Sequence, residues 1–161
     1  MAPRQGSRDL TLAAVGKLRP YYREAADDYV RRLKHHVKLH EVEIREASRA
    51  PSILAQLAEE GKRLGPKITP GSNLVALTRL GTGWTSRDLA GQLERWLQLS
   101  RPVTLLLGGS NGLDRSLIAR ADARWSLGPL TLPHELARVV VLEQLYRAFT
   151  ILRGEPYHKG L

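Results

Sequence analysis

The sequence predicts a single-domain α/β fold, a mainly parallel sheet with helices packed on both of its faces. Three observations lead there. Short apolar runs alternate along the chain with stretches of helical periodicity, the order that parallel crossover connections require. The run Val103–Leu107 has the character of a strand buried on both sides. A length of 161 residues with 42% hydrophobic content supplies one core of useful size and gives no reason to divide the chain, so residues 1–161 are read as one domain.

The elements follow in order. Residues 1–8 form a polar, basic tail expected to be loose. Residues 10–15 read as the first strand, and 16–20 as its exit loop. Over 21–36, Tyr22, Ala26, Tyr29, Val30 and Leu33 recur at helical spacing, while Arg23, Asp27, Arg31, Arg32 and Lys34 occupy the rest of the surface. Residues 37–44 make a second strand whose apolar phase slips at His40 and Glu41, which predicts a bulge or an exposed end. A helix follows Pro51 and stops at Gly65 and Pro66. Residues 73–77 form the third strand, and Thr85 with Asp88 opens the next helix as a capping box. After the fourth strand, 114–121 is helical, 124–127 is the fifth strand, and 135–152 is the last helix.

Composition narrows the partners. Lys plus Arg outnumber Asp plus Glu by 25 to 16, giving a formal charge of +9, which favours a polyanion such as RNA although a basic surface can serve solubility alone. Without cysteine, neither a disulfide framework nor a thiolate metal site can form, and His35, His36 and His40 lack ligand partners and read as surface residues. No metal is expected. No apolar stretch is long enough to span a membrane, so no membrane role is expected and the expected location is cytoplasmic.

Two loops have the character of a ligand site. Gly108, Gly109, Ser110, Asn111 and Gly112 follow the fourth strand, and Leu127, Gly128, Pro129, Leu130, Thr131, Leu132 and Pro133 precede the last helix. Side chains there are small or apolar, so a ligand would be read by main-chain groups and gripped between leucines, as a flat purine is. The phosphate-binding P-loop does not fit, because Leu113 and Asp114 stand where a Lys and a Ser or Thr are needed. The dinucleotide fingerprint does not fit either, since the spacing is GGxxG and the loop follows the fourth strand. A plain tight turn is the competing reading of 108–112.

The segments LLLGGSNGL, WSLGPLTLPHELARVVVLEQLYRA and GEPYHK resemble the large-subunit ribosomal RNA methyltransferase H family of the SPOUT superfamily, over nearly the whole chain. That resemblance implies a C-terminal trefoil knot, a homodimer, and S-adenosyl-L-methionine as methyl donor, with the ribosome's large-subunit rRNA as partner. It also implies methylation of N3 of a pseudouridine in helix 69 of bacterial 23S rRNA. Carried over residue by residue, its cofactor contacts fall on Leu77, Gly108, Leu127, Gly128, Pro129, Leu130, Thr131 and Leu132. Relatives place an acidic residue and a Gly-Lys pair after the first leucine, where this chain has Thr78, Gly81 and Thr82.

Methyl transfer to a ring nitrogen asks the protein mainly for alignment and exclusion of water. The proton on a uracil-type N3 must also leave, which calls for a base or a cation near the chain's basic and aromatic end. The candidates are Glu143 and Arg147 on the last helix and Tyr157 and His158 in the tail, with His134, Arg138 and Lys159 nearby in sequence. Glu143 and Arg147 also read as an ordinary intrahelical ion pair, and His134 as a packing residue at a helix start. The resemblance implies that the tail reaches the active site of the dimer, where Tyr157 would stack on a base, His158 would assist proton removal and Lys159 would meet phosphate. Residues after Gly154 are expected to add little to stability. Two other classes stay open from the residues themselves: a non-catalytic basic RNA-binding or ribosome-assembly protein, and a nucleotide-binding enzyme of another kind.

Overall fold

A computed structural model describes residues 8–159, so most of the N-terminal tail and Gly160 and Leu161 lie outside the described residues. The order is β1 (Asp9–Val15), α1 (Pro20–Leu33), β2 (Lys38–Ile44), α2 (Ile53–Leu64), a 3-10 turn (Gly65–Lys67), β3 (Asn73–Gly83), α3 (Ser86–Gln98), β4 (Val103–Leu107), α4 (Arg115–Arg120), β5 (Ala123–Ser126) and α5 (His134–Arg153). The strands form one sheet in the order β2-β1-β4-β3-β5, every pairing parallel. This is the expected single-domain α/β architecture.

Alternation along the strands divides the core in two. Leu10, Leu12 and Ala14 of β1, with Leu105 and Leu107 of β4, face α1, α3 and α5, where they meet Ala26, Leu93, Leu142 and Leu145. Ala13, Val15 and Leu106 face α2 and α4, where they meet Leu64 and Leu117. A central strand buried on both faces has no solvent-facing side, so β4 shows no polar alternation, and its one polar residue, Thr104, is satisfied by donating to Ser72 Oγ at 2.9 Å.

The phase slip in β2 has another cause than a bulge. Pairing with β1 runs unbroken from Asp9↔Lys38 to Val15↔Ile44. Glu41 keeps its place on the helix-covered face because Arg23 of α1 donates to it at 2.7 and 2.9 Å, so Arg23 faces the sheet instead of open surface. Next along that face, Glu43 meets the guanidinium of Arg138 from α5, which is 1% exposed and also donates to the main-chain oxygens of Gly16 at 2.8 Å and Val15 at 3.3 Å. His36 likewise leaves the surface: it is buried, stacks on Phe149 at 5.4 Å and touches the edge of Tyr146. Burial, seconded by Arg153, lowers its pKa.

The predicted capping box of α3 is present, with Thr85 Oγ1 accepting from the Asp88 amide at 3.1 Å and Asp88 accepting from the Thr85 amide at 2.9 Å. Those bonds hold the Asp88 carboxyl below its usual value. β3 runs farther than 73–77 predicts. It leaves β5 after Leu77↔Trp125 and rejoins at Thr82↔Trp125, so residues 78–81 loop out between two paired segments.

Candidate active site

Three loops, one looping out within β3 and two following β4 and β5, enclose a cavity of about 550 Å³, within the roughly 300–1,000 Å³ typical of small-molecule sites. Crevices of this kind form where parallel strands end and their loops diverge.

The first wall is the excursion of β3, with Leu77, Thr78, Arg79 and Leu80 lining the cavity. Its return is tight: a Cβ on Gly81 would lie 2.7 Å from backbone atoms of Arg124 and Trp125. This wall gives no alternating or helical signal, and Leu77 is named as a cofactor contact through the family resemblance alone.

The second wall is the loop after β4. The Gly112 amide donates to Gly109 oxygen at 3.1 Å, and Gly112 itself has φ +84°. A Cβ on Gly108 would sit 2.2 Å from Gly112 oxygen. Glycine is therefore required at 108 by the loop's own closure, before any approach of a ligand is considered. Ser110 donates to Glu46 at 3.3 Å and Asn111 to Gln56 at 3.1 Å, which ties the loop to β2's exit and to α2. Asp114 then caps α4 by accepting from the Ser116 amide at 2.7 Å.

The third wall runs from Leu127 to Leu132. Gly128 has φ +113°, and its amide donates to Ser126 Oγ at 3.1 Å. Leu127, Gly128, Leu130, Thr131 and Leu132 all line the cavity, and Leu130 is 75% exposed, an apolar side chain standing open at the rim. His134 and Ala137 of the first turn of α5 complete the enclosure. Of the residues expected to contact the cofactor, Leu77, Gly108, Leu127, Gly128, Leu130, Thr131 and Leu132 are brought together, whereas Pro129 is exposed and lies outside the lining. Arg115, Ile118 and Leu57 line it without having been singled out as ligand contacts.

The expected catalytic residues form a separate cluster. Glu143 lies nine residues beyond His134 on α5, or about 13 Å along the axis. Arg147 donates to Glu143 at 2.6 Å, and the Tyr157 hydroxyl donates to the same carboxylate oxygen at 3.1 Å. The Tyr157 ring meets Tyr146 edge-on at 4.7 Å and lies 5.0 Å from the Arg147 guanidinium. Burial, with Tyr29 and Glu143 beside it, raises the Tyr157 phenol far above its ordinary pKa, so it stays neutral and donates. His158 Nδ1 is shielded from solvent and has no hydrogen-bond partner among the described residues. Within one chain, none of Glu143, Arg147, Tyr157 or His158 lines the cavity. The tail is also better anchored than its polarity predicts, since Tyr157 is half-buried in an aromatic and ionic cluster. No group of three or more His, Cys, Asp or Glu among the described residues could hold a metal, and no helix among them is long and apolar enough to cross a membrane.

The family model described as "Predicted SPOUT methyltransferase" matches residues 9–158. A protein of Nitratidesulfovibrio vulgaris named "Ribosomal RNA large subunit methyltransferase H" is 44% identical over 153 residues, which cover 94% of this chain and 98% of that one. One of the same name from Azotobacter vinelandii is 41% identical, covering 93% and 99%. Among solved structures, a probable methyltransferase from Bordetella pertussis superposes with a TM-score of 0.58 at 18% identity, covering 89% of this chain and 95% of that one, a likeness of fold. With the match spanning all five strands, the three loops of the cavity and the tail cluster, the chain belongs to the SPOUT methyltransferase family.

Proposed function

We propose that the chain is an S-adenosyl-L-methionine-dependent methyltransferase acting on N3 of a pseudouridine in helix 69 of bacterial 23S rRNA, as a cytoplasmic homodimer. The observation that carries the cofactor assignment is the cavity's chemistry: glycine-rich turns that bare main-chain donors and acceptors, framed by Leu77, Leu127, Leu130 and Leu132. Such a lining suits a flat heterocycle with polar edges. S-adenosyl-L-methionine, when bound there, supplies an electrophilic methyl group.

The rRNA assignment rests on the relatives' printed names together with a charge of +9. The chain's own residues would then do three things. Leu127, Leu130 and Leu132 cover an aromatic ring and keep water from the reacting centre. Tyr157, held neutral, stacks on a base or donates a hydrogen bond, and cannot serve as the base itself. The His158 imidazole is assigned the removal of the N3 proton, while Arg147, braced by Glu143, offsets the negative charge that develops on the ring. Since this cluster stands apart from the cavity in one chain, we assign it to the site of the other subunit. The half-buried Val139, Val140 and Tyr146 on α5 supply apolar surface for that association.

The test combines calorimetric titration with S-adenosyl-L-methionine, competition by ATP and NAD, and transfer of labelled methyl to isolated rRNA, free subunits and whole ribosomes. Saturable binding without competition and one methylated nucleotide in the large-subunit rRNA are expected. Competition by ATP or NAD would reassign the cavity, and absence of binding would leave a basic RNA-binding module. A fully active monomer in light scattering would overturn the shared site.

A further inference from the structure

A second, larger depression adjoins the cavity. It is an open groove of about 950 Å³ at the carboxyl ends of β1 and β2, bounded on its far side by Ala55, Glu59 and Arg63 of α2. The two share a wall: Gly16 lines the groove, and a Cβ on Gly16 would lie 3.8 Å from Nε2 of His134, which lines the cavity. A chain lying in the groove therefore passes the cavity mouth.

The groove's charges are not balanced. Its acidic residues are engaged with neighbours, Glu43 by Arg138 and Arg23, Glu46 by Ser110, and Glu59 by Arg63 at 3.5 Å. Arg63 is further occupied, donating to the Arg45 main-chain oxygen at 2.7 Å. Lys17, Arg45 and Arg49 are exposed, line the groove, and make no ion pair or side-chain hydrogen bond among the described residues. Three exposed cations over a trough whose acidic residues already have partners suit a flexible polyanion better than an acidic protein face, because they track a backbone without demanding shape.

We infer that the trough between β1's exit and the 45–50 loop is the track for the RNA strand flanking the target nucleotide, with Lys17, Arg45 and Arg49 on its phosphates. This rests on the methyltransferase reading of the adjoining cavity. Relief of condensed counterions at about 0.7 per contact on single-stranded RNA makes three contacts worth a slope of about 2 in log affinity against log salt.

The test compares the intact protein with Lys17→Ala/Arg45→Ala/Arg49→Ala and with a charge-matched control, Lys34→Ala/Lys38→Ala/Arg95→Ala, exposed residues near the opposite, amino-terminal edge of the sheet. The readouts are binding of a labelled RNA stem-loop across a salt series, calorimetric affinity for S-adenosyl-L-methionine, and methyl transfer to ribosomes across ribosome concentrations. The groove variant is expected to bind RNA roughly tenfold more weakly, to lose about 2 from the salt slope and to need more ribosomes for half-maximal transfer, with cofactor affinity kept. The control is expected to shift the slope little. Equal losses in both variants, or wild-type RNA binding by the groove variant, overturn the inference. If the intact protein transfers no methyl yet the groove variant alone loses RNA binding, the groove stands and the methyltransferase reading falls.

Discussion

Replacing Arg138 with Met removes the guanidinium while keeping much of the side chain's length and apolar stem. Arg138 is 1% exposed and holds three elements together: it pairs with Glu43 of β2, and donates to Gly16 oxygen at 2.8 Å and Val15 oxygen at 3.3 Å beyond and at the end of β1. Removing one partner from a buried pair costs about 3–5 kcal/mol, since the remaining groups stay desolvated. Here Glu43 is 28% exposed in its side chain and retains Arg23 at 3.6 Å, which places the cost at the lower end, about 3 kcal/mol. For a domain of this size each kcal/mol lowers Tm by about 2–4 °C, so calorimetry should record a fall of roughly 6–12 °C. Arg138→Lys should fall in between, keeping a charge but losing the planar fork that reaches all three acceptors. Because Gly16 abuts His134 at the cavity, cofactor affinity should weaken as well. A fall under about 2 °C in the Met variant would show that the guanidinium is not what binds α5 to the sheet.

The other predictions concern the loops and the tail. Gly108→Ala should lower S-adenosyl-L-methionine affinity at least roughly tenfold while far-UV circular dichroism stays that of the parent, because the new Cβ strikes Gly112 oxygen and opens the loop; wild-type affinity would remove that loop from the site. Glu60 is buried beside Glu46, and burial above all raises its carboxyl pKa, so the native state favours the protonated form and loses that advantage as pH rises through the raised value. Glu60→Gln should accordingly change little at acidic pH and raise the urea midpoint at neutral pH, whereas a loss at neutral pH would show the charged form to be structural. Tyr157→Ala should cost about 1–2 kcal/mol in urea unfolding through its lost contacts with Glu143, Tyr146 and Arg147. His158→Ala should leave stability and cofactor affinity unchanged and slow single-turnover transfer, by less as pH rises and solvent removes the proton unaided; an unchanged rate would retire the imidazole.

Much was legible in the chain itself. Alternation of apolar runs with helical periods specifies a parallel sheet between helix layers, because each element must bury one face or two and its pattern records which. Glycines at 108, 112 and 128 marked the ligand loops, since backbone that bends tightly or adopts positive φ narrows the choice of residue sharply. Local chemistry also announced the Thr85 capping box.

What pairs across the chain left no local trace. The phase slip at His40 and Glu41 looks like a bulge or an exposed end until Arg23 arrives from a helix 18 residues away, and nothing local shows that Glu43 will meet Arg138, 95 residues on. His36 reads as one more polar surface residue until Phe149 covers it. The looped-out residues 78–81 become a wall only because β3 rejoins β5 at the same Trp125. The separation of the 143–158 cluster from the cavity likewise emerges only when the tail folds back on α5, where Tyr157 meets Glu143, Tyr146 and Arg147. Sequence pattern is written by each element's own burial, so it determines which elements form and which face inward; which charges neutralise one another and which loops share a crevice depends on long-range packing, and only the tertiary structure decided it.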